Sequence, residues 1–185
     1  KPNKMTRQEY IEKYKLLATD TTNGTGLFPS VMLAQALVES GNGNSTLADK
    51  YNNHFGIKVS PAWKGSGVNL QTREVVKGNA QMQGANFRVY NNVKDSYLDR
   101  IKFLMENKRY RDNGVFDAKT PLEQLKALQK AGYATDPEYA KIINQVLTKY
   151  NLEILDVLKK HPVRVGGFIL AISLFITGIY LYKTN

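Results

Sequence analysis

The chain contains no cysteine and only two histidines, His54 and His161, among its 185 residues. Without cysteine it can form no disulfide, no thiolate nucleophile and no cysteine-based metal site. The two histidines are far apart in the sequence, which argues against a histidine-rich metal site. Chemistry that depends on a thiolate is therefore excluded, and the sequence predicts neither a metal nor a cofactor.

Acidic residues are also scarce, with 16 Asp and Glu against 26 Lys and Arg, for a net charge of +10. A basic surface attracts polyanions such as nucleic acid, anionic lipid or the anionic bacterial envelope. The basic residues are spread along the chain, and no familiar nucleic-acid motif is present, so we predict no nucleic-acid partner. A solvated basic surface without any single partner is the alternative interpretation.

Helical patterns flank one β-prone region in the first 150 residues. Thr6 and Glu9 match a capping box and predict a helix over residues 6–18. Two β-prone runs separated by Gly-containing turns predict a small antiparallel hairpin, at residues 68–76 and 83–90. Further helices are predicted over residues 95–107, 120–132 and 136–150. This order predicts an α+β fold that is mainly helical.

A buried helix is predicted between a loop and a glycine-containing turn. Residues 19–26 are rich in Thr, Asn and Gly and predict a loop. Pro29 suits the first turn of the helix that follows, and this helix is apolar on more than one side. It ends with Glu39, Ser40 and Gly41, because Gly41 and Gly43 are natural stop signals.

The C-terminal region carries the longest apolar run of the sequence. Residues 165–182 contain no charge over 18 positions, which corresponds to about 27 Å of helix. Flanked by Arg164 and Lys183, this run predicts a transmembrane helix over residues 163–183, preceded by an amphipathic linker over 151–162. A buried core helix is the alternative interpretation.

Glu39 has the setting that acid catalysis of glycan cleavage requires. Such cleavage needs one carboxyl group that stays protonated near neutral pH, normally through partial burial, and usually a second carboxylate. Glu39 closes an apolar helix, where loss of hydration raises a carboxyl pKa. A glutamate at a helix end is more commonly a solvated surface residue, so this feature alone does not decide the function.

Ordered sequence blocks around Glu39 resemble glycoside hydrolase family 73, the endo-β-N-acetylglucosaminidases of autolysins, flagellar rod-associated hydrolases and phage lysins. The blocks are AQALVESGNG at 34–43, STLA at 45–48, NNHFGIK at 52–58, WKG at 63–65, TRE at 72–74, FRVY at 87–90, RY at 109–110, AGYATDP at 131–137 and YA at 139–140. The resemblance implies a glucosaminidase catalytic domain over residues 5–150. It also implies a lysozyme-like helical lobe, a small antiparallel β-lobe and a glycan groove between them.

The resemblance implies roles for three catalytic residues. Glu39 would be the general acid, and Glu74 the second carboxylate, which activates water or stabilises an oxocarbenium-like state. A solvated strand residue is the alternative for Glu74. Inverting, retaining and substrate-assisted mechanisms all stay open; in the last, Tyr133 on an interhelical turn would orient the acetamide of the substrate.

Four further residues are predicted to bind the glycan. Phe55 and Trp63 could stack on sugar rings, with core packing as the alternative for both. Asn53 could hydrogen-bond sugar hydroxyls, and the resemblance includes Tyr139 among the substrate-binding residues. His54 is interpreted as a structural histidine and receives no catalytic role.

The predicted partners are peptidoglycan glycan strands, a lipid membrane through the C-terminal helix, and virion or envelope proteins. The expected location is a virion membrane or the bacterial cell envelope. Three basic residues precede the apolar run (Lys159, Lys160 and Arg164) and one follows it, which favours a catalytic domain on the cytoplasmic side. Because peptidoglycan lies on the other side of the membrane, a phage particle that carries the enzyme is one expected route to the wall. The alternatives are a non-catalytic glycan-binding or virion-structural membrane protein, and a membrane-permeabilising protein that acts through its tail.

Overall fold

A computed structural model describes residues 4–76 and 79–160, and the side chains of all these except 72–76, 79–81 and 158–160. The elements in chain order are α1 (Arg7–Thr22), α2 (Pro29–Glu39), α3 (Thr46–Tyr51), β1 (Gly67–Val76), β2 (Asn79–Arg88), α4 (Val93–Glu106), α5 (Lys108–Asp112), α6 (Pro121–Lys130), α7 (Tyr139–Lys149) and α8 (Ile154–Lys160). The predicted α+β architecture, mainly helical with one small antiparallel sheet, is confirmed.

Helix α1 begins as predicted but ends later. The Thr6 hydroxyl accepts a hydrogen bond from the Glu9 backbone N–H, and the Glu9 carboxylate accepts one from the Thr6 N–H at 2.7 Å. The helix then continues to Thr22, so the predicted loop at 19–26 is wrong over its first four residues. The hydroxyls of Thr21 and Thr22 bond back to carbonyls one turn earlier, at 2.7 and 2.8 Å, and this satisfies them inside the helix.

Helix α2 is the centre of the core, as its apolar sequence predicts. Every residue from Pro29 to Leu37 is buried, and α1, α6, α7 and α8 pack around it. The helix ends at Glu39, and the following turn places Gly41 and Gly43 at positive φ, 57° and 76°. Glycine adopts this conformation without steric cost, which lets the chain reverse directly after Glu39.

The β-hairpin is anchored at its base. Strands β1 and β2 pair from Gly67 opposite Arg88 to Val76 opposite Asn79. Below them, the Val59 N–H donates to the Asn86 carbonyl at 2.8 Å. Arg88 also forms a largely buried ion pair of 2.7 Å with Asp99 of α4, which ties the hairpin to the helices.

The spacing of Tyr97, Ile101, Leu104 and Met105 predicts that they share one apolar side of α4. Tyr97, Ile101 and Leu104 are buried, but Met105 is 39% exposed and Arg100 is only 1% exposed. An arginine therefore occupies a position that the apolar pattern assigns to the core. The predicted start and stop of α6 are confirmed, because Thr120 caps it and Gly132 follows it at φ 75°. The predicted helix over 136–150 begins later, at Tyr139.

The segment predicted as an amphipathic linker packs on the helical domain within the described residues. Leu152 and Leu155 are buried. The Asp156 carboxylate accepts hydrogen bonds from the backbone N–H and the hydroxyl of Ser30, at 3.0 and 2.6 Å. The predicted transmembrane helix at 163–183 lies outside the described residues, and among the residues that are described no helix is long and apolar enough to cross a membrane.

Candidate active site

Glu39 stands at the end of α2 as an accessible carboxyl beside buried polar residues. The side chain is exposed, whereas all residues from Val31 to Leu37 are buried. Loss of hydration raises the pKa of Glu39 above the ordinary carboxyl value, and the positive charge of Arg100 opposes this to a smaller extent. A carboxyl that water reaches from one side only is accessible to a ligand and is still incompletely hydrated. The result is a group that can stay protonated while a ligand reaches it.

A hydrogen-bonded chain runs behind Glu39. Gln35 lies one helical turn before it, on the same face of α2, and is fully buried. The Arg100 Nη2 donates to the Gln35 Oε1, and the Gln35 Nε2 donates to the hydroxyl of Tyr139 at 2.5 Å. Residues from α2, α4 and α7 are thereby locked together, and Tyr139 is committed to a partner inside the protein.

Tyr133 lies in the same neighbourhood, on the turn between α6 and α7. Its ring centroid is 5.7 Å from that of Tyr139 and from the Arg100 guanidinium carbon. Burial raises the pKa of Tyr133 to about 12; Arg100 lowers it and Glu39 raises it. The phenol therefore keeps its proton at neutral pH and can donate a hydrogen bond. The structure thus brings Glu39, Tyr133 and Tyr139 together, as a shared site requires.

Phe55 and Asn53 lie inside the protein. Phe55 is 5% exposed, with its ring 4.9 Å from that of Tyr97 and 5.4 Å from the Arg100 guanidinium carbon. The Asn53 amide donates to the carbonyls of Ile57 and Arg88, at 3.0 and 2.9 Å. Phe55 packs against Arg100, and Asn53 ties its loop to the base of the hairpin. Direct contact with a sugar would require both residues to leave these partners.

Trp63 lines a concave cavity of about 390 Å³ between the base of the hairpin and the start of α4. Its indole N–H donates to the Ser66 carbonyl at 3.0 Å, and its ring lies 5.7 Å from the ring of Tyr90. The Arg88 guanidinium covers the ring at 4.6 Å. Glu39 is not among the residues that line this cavity, and the stacking role of Trp63 stays a prediction.

Glu74 lies on β1, with its Cα paired to that of Gln81. Its side chain is outside the described part of the structure, so its predicted role as second carboxylate stays a prediction. Within the described residues, no group of three or more His, Cys, Asp or Glu side chains could hold a metal ion.

Sequence reasoning missed Arg100, Gln35 and Tyr110. Tyr110 is fully buried, 6.2 Å from the ring of Tyr133, and its hydroxyl accepts a hydrogen bond from Arg109 at 2.7 Å. A signal for Arg100 was available: it follows Tyr97 by three positions and precedes Leu104 by four, on the apolar face of α4. A charged residue at such a position favours a functional or specificity role.

The fold and the exposed carboxyl at the end of a buried helix define a lysozyme-like glycoside hydrolase domain. Among solved structures, the catalytic domain of the autolysin Auto from Listeria monocytogenes superposes with a TM-score of 0.71 at 33% identity, covering 84% of this chain and 92% of that one. Residues 15–152 match the family described as mannosyl-glycoprotein endo-beta-N-acetylglucosaminidase. The chain belongs to this family, glycoside hydrolase family 73, as the resemblance of the sequence blocks predicted.

Two curated relatives show how much of a longer protein this domain represents. The exo-glucosaminidase LytG of Bacillus subtilis is 39% identical over 135 residues, which cover 70% of this chain and 46% of LytG. The peptidoglycan hydrolase FlgJ of Vibrio parahaemolyticus is 34% identical over 152 residues, which cover 77% of this chain and 47% of FlgJ. The chain therefore spans about half the length of these relatives.

Proposed function

We propose that the protein is a peptidoglycan hydrolase that cleaves the glycan strand at N-acetylglucosaminyl bonds, with Glu39 as the general acid. The observation that carries the proposal is the Glu39 carboxyl, exposed and yet raised in pKa, at the end of a buried helix. The relatives LytG and FlgJ are named as a glucosaminidase and a peptidoglycan hydrolase, and these names support peptidoglycan as the substrate. The net charge of +10 suits the anionic cell wall.

In the proposed reaction, protonated Glu39 donates its proton to the glycosidic oxygen while the bond from that oxygen to C1 breaks. The leaving sugar departs as an alcohol, and positive charge develops on the ring oxygen and C1 of the N-acetylglucosamine. Water then bonds to C1 through its oxygen and gives one proton to a carboxylate of the site, so the net reaction adds one water across the bond. Glu74 is the proposed partner that activates this water or stabilises the charge, and Tyr133 is the proposed donor that orients the acetamide if the substrate assists its own cleavage.

The test is Glu39→Gln, assayed on purified glycan strands with mass spectrometry of the products. We expect at least about 10²-fold loss of cleavage with folding intact, because the amide cannot donate the proton. Glu106→Gln is the matched control, since Glu106 is exposed and forms only a 3.7 Å surface pair with Lys102. Wild-type activity in Glu39→Gln would reject the assignment.

The products also decide between finer alternatives. New N-acetylglucosamine reducing ends identify a glucosaminidase, whereas N-acetylmuramic acid ends identify a muramidase. Long fragments indicate endo cleavage, and released single units indicate the exo cleavage that the name of LytG describes. Sedimentation with peptidoglycan without any cleavage would instead support a non-catalytic glycan-binding protein.

We also propose that residues 163–183 anchor the protein in a membrane, either of a virion or of the bacterial envelope. The charge-free run at 165–182 and its basic flanks support this. Flotation with vesicles should require the residues after 160. Protease protection should show the catalytic domain on the cytoplasmic side, and digestion from the periplasmic face would reject that orientation.

A further inference from the structure

Arg100 is a buried cation that forms no ion pair within the described part of the chain. It is 1% exposed, and no carboxylate of the described residues forms an ion pair with it. Its Nε also has no hydrogen-bond acceptor in the described part of the chain. Buried charges are normally paired, and replacing them with apolar residues of similar size is commonly neutral or stabilising. Folding stability alone therefore gives no reason for an arginine here.

The contacts of Arg100 converge on the proposed catalytic residues. Its Nη2 donates to Gln35, one turn before Glu39, and Gln35 in turn holds the Tyr139 hydroxyl at 2.5 Å. The guanidinium carbon lies 5.7 Å from the centroid of the Tyr133 ring. One side chain of α4 thus contacts α2 and the turn between α6 and α7, and is linked to α7 through Gln35.

On the basis of the proposed function, we propose that Arg100 is a positioning residue for Glu39: its guanidinium fixes Gln35, Tyr139 and Tyr133 around the acid and faces the negative charge that forms there. When Glu39 gives its proton to the glycosidic oxygen, the carboxyl becomes a carboxylate. A fixed positive charge in a site of low polarity stabilises that product without reorganisation. Arg100 therefore acts on proton transfer without touching the substrate.

The charge environment of Glu39 gives this role a measurable signature. The groups that interact with its charge are Arg100 from α4, Tyr133 from the turn after α6 and Tyr139 from α7. Both phenols have raised pKa values and stay neutral near pH 7, so Arg100 is the group among these that carries charge. Removing it should raise the pKa of Glu39 further and make the group a weaker acid.

The experiment compares the pH dependence of kcat/KM in wild type, Arg100→Met and Arg100→Lys. The basic limb of the profile reports deprotonation of the essential acid. In Arg100→Met we expect this limb to move up by about one pH unit, as for loss of a nearby opposite charge, and the plateau to fall by about tenfold. Arg100→Lys should keep the limb within a few tenths of a unit of wild type, because it keeps the charge.

Arg111→Met is the matched control, since Arg111 is exposed on α5 and has only a 3.5 Å contact with the Met105 carbonyl. It should leave the profile unchanged. If Arg100→Met is less active but has the wild-type pH profile, Arg100 is merely structural and the proposal is wrong. If Arg100→Met does not fold, Arg100→Gln, which keeps an amide donor for Gln35, carries the same expectation.

A direct titration separates this proposal from the proposed function. NMR of the Glu39 carboxyl carbon measures its pKa whether or not the protein cleaves peptidoglycan. A higher pKa in Arg100→Met than in wild type supports the role of Arg100 even if no cleavage is found, in which case the proposed function alone fails. An unchanged Glu39 pKa overturns the role of Arg100 even if the wild type is an active hydrolase.

Discussion

Two tyrosine clusters lie on either side of Phe55, and loss of hydration has a different consequence in each. The inner cluster consists of Tyr10, Tyr14, Tyr97 and His54, with ring centroids 4.6 to 6.4 Å apart. The site cluster consists of Tyr110, Tyr133 and Tyr139, together with Arg100 and Glu39. Besides its tyrosines, each cluster holds one residue whose pKa is shifted, His54 in the inner cluster and Glu39 in the site cluster.

Burial disfavours the charged form in both clusters, but the consequence has opposite sign for a base and an acid. Burial, with a smaller effect from Lys13, lowers the pKa of His54 to about 4, so the imidazole stays neutral. Incomplete hydration raises the pKa of Glu39, so the carboxyl stays protonated more readily. The clusters differ in access: His54 is 2% exposed, whereas Glu39 is exposed. A perturbed pKa therefore indicates a catalyst only where a ligand can reach the group.

The largest expected effect is acid destabilisation through the inner cluster. The folded pKa of His54, about 4, lies below its unfolded value of 6.5, so the unfolded chain binds the extra proton first. The stability contributed by neutral His54 is complete above pH 6.5, is lost as the pH falls towards 4, and changes no further below it. The loss is about 3 kcal/mol of unfolding free energy.

Denaturant unfolding of wild type and His54→Gln at pH 7 and pH 4 measures this loss. Gln cannot titrate but can still pair with the Tyr10 hydroxyl, which lies 2.5 Å from the His54 Nδ1. Carboxylates elsewhere titrate equally in both proteins, so the difference between the two isolates His54. The wild type should lose about 3 kcal/mol more than the variant. Parallel pH curves would contradict a buried neutral histidine.

The second effect concerns the site cluster and appears in catalysis rather than stability. Tyr133→Phe keeps the ring but removes the one hydrogen-bond donor of the phenol, so we expect kcat to fall by about 10²-fold. The unfolding free energy should change by no more than about 1 kcal/mol, because the ring packing remains. Steady-state kinetics and denaturant unfolding on the same preparation measure both. Full activity in Tyr133→Phe would remove Tyr133 from the mechanism.

The sequence predicts those structural features that depend on residues close together in the chain. The capping box at Thr6 and the buried helix ending at Glu39 depend on neighbours in the chain, and both are confirmed. The continuation of α1 through Thr22 was not predicted, because threonine also favours loops. In the structure the Thr22 hydroxyl donates to a carbonyl of its own helix, which satisfies it there.

Contacts between residues that are distant in the sequence could not be predicted from neighbouring residues alone. An aromatic such as Phe55 suits both a sugar and a core, and its burial against Tyr97 joins positions 42 residues apart. Arg100 broke the apolar pattern of α4 and so carried a local signal. Its partner Gln35 lies 65 positions away, and the contact exists only once α2 and α4 pack. The family resemblance predicted Tyr133 near Glu39, whereas composition and periodicity alone did not.

The smallest expected effect comes from the same change made once in each cluster. Tyr10→Phe removes the hydroxyl that lies 2.5 Å from the His54 Nδ1, and Tyr139→Phe removes the one that lies 2.5 Å from the Gln35 Nε2. Each leaves a buried polar group without its partner, so each should lower the unfolding free energy by about 1–2 kcal/mol. Denaturant unfolding should therefore fail to distinguish the two variants.

Turnover should distinguish them. At a temperature where both variants are fully folded, Tyr10→Phe should keep wild-type kcat, because the inner cluster has no access to the glycan. Tyr139→Phe should lower kcat by several-fold, since Gln35 loses the hydroxyl that helps to fix it between Arg100 and Glu39. Equal losses of kcat in the two variants would mean that the clusters act as one unit, through Phe55, which lies between Tyr97 and Arg100. Loss of kcat in Tyr10→Phe alone would reverse the roles assigned to them.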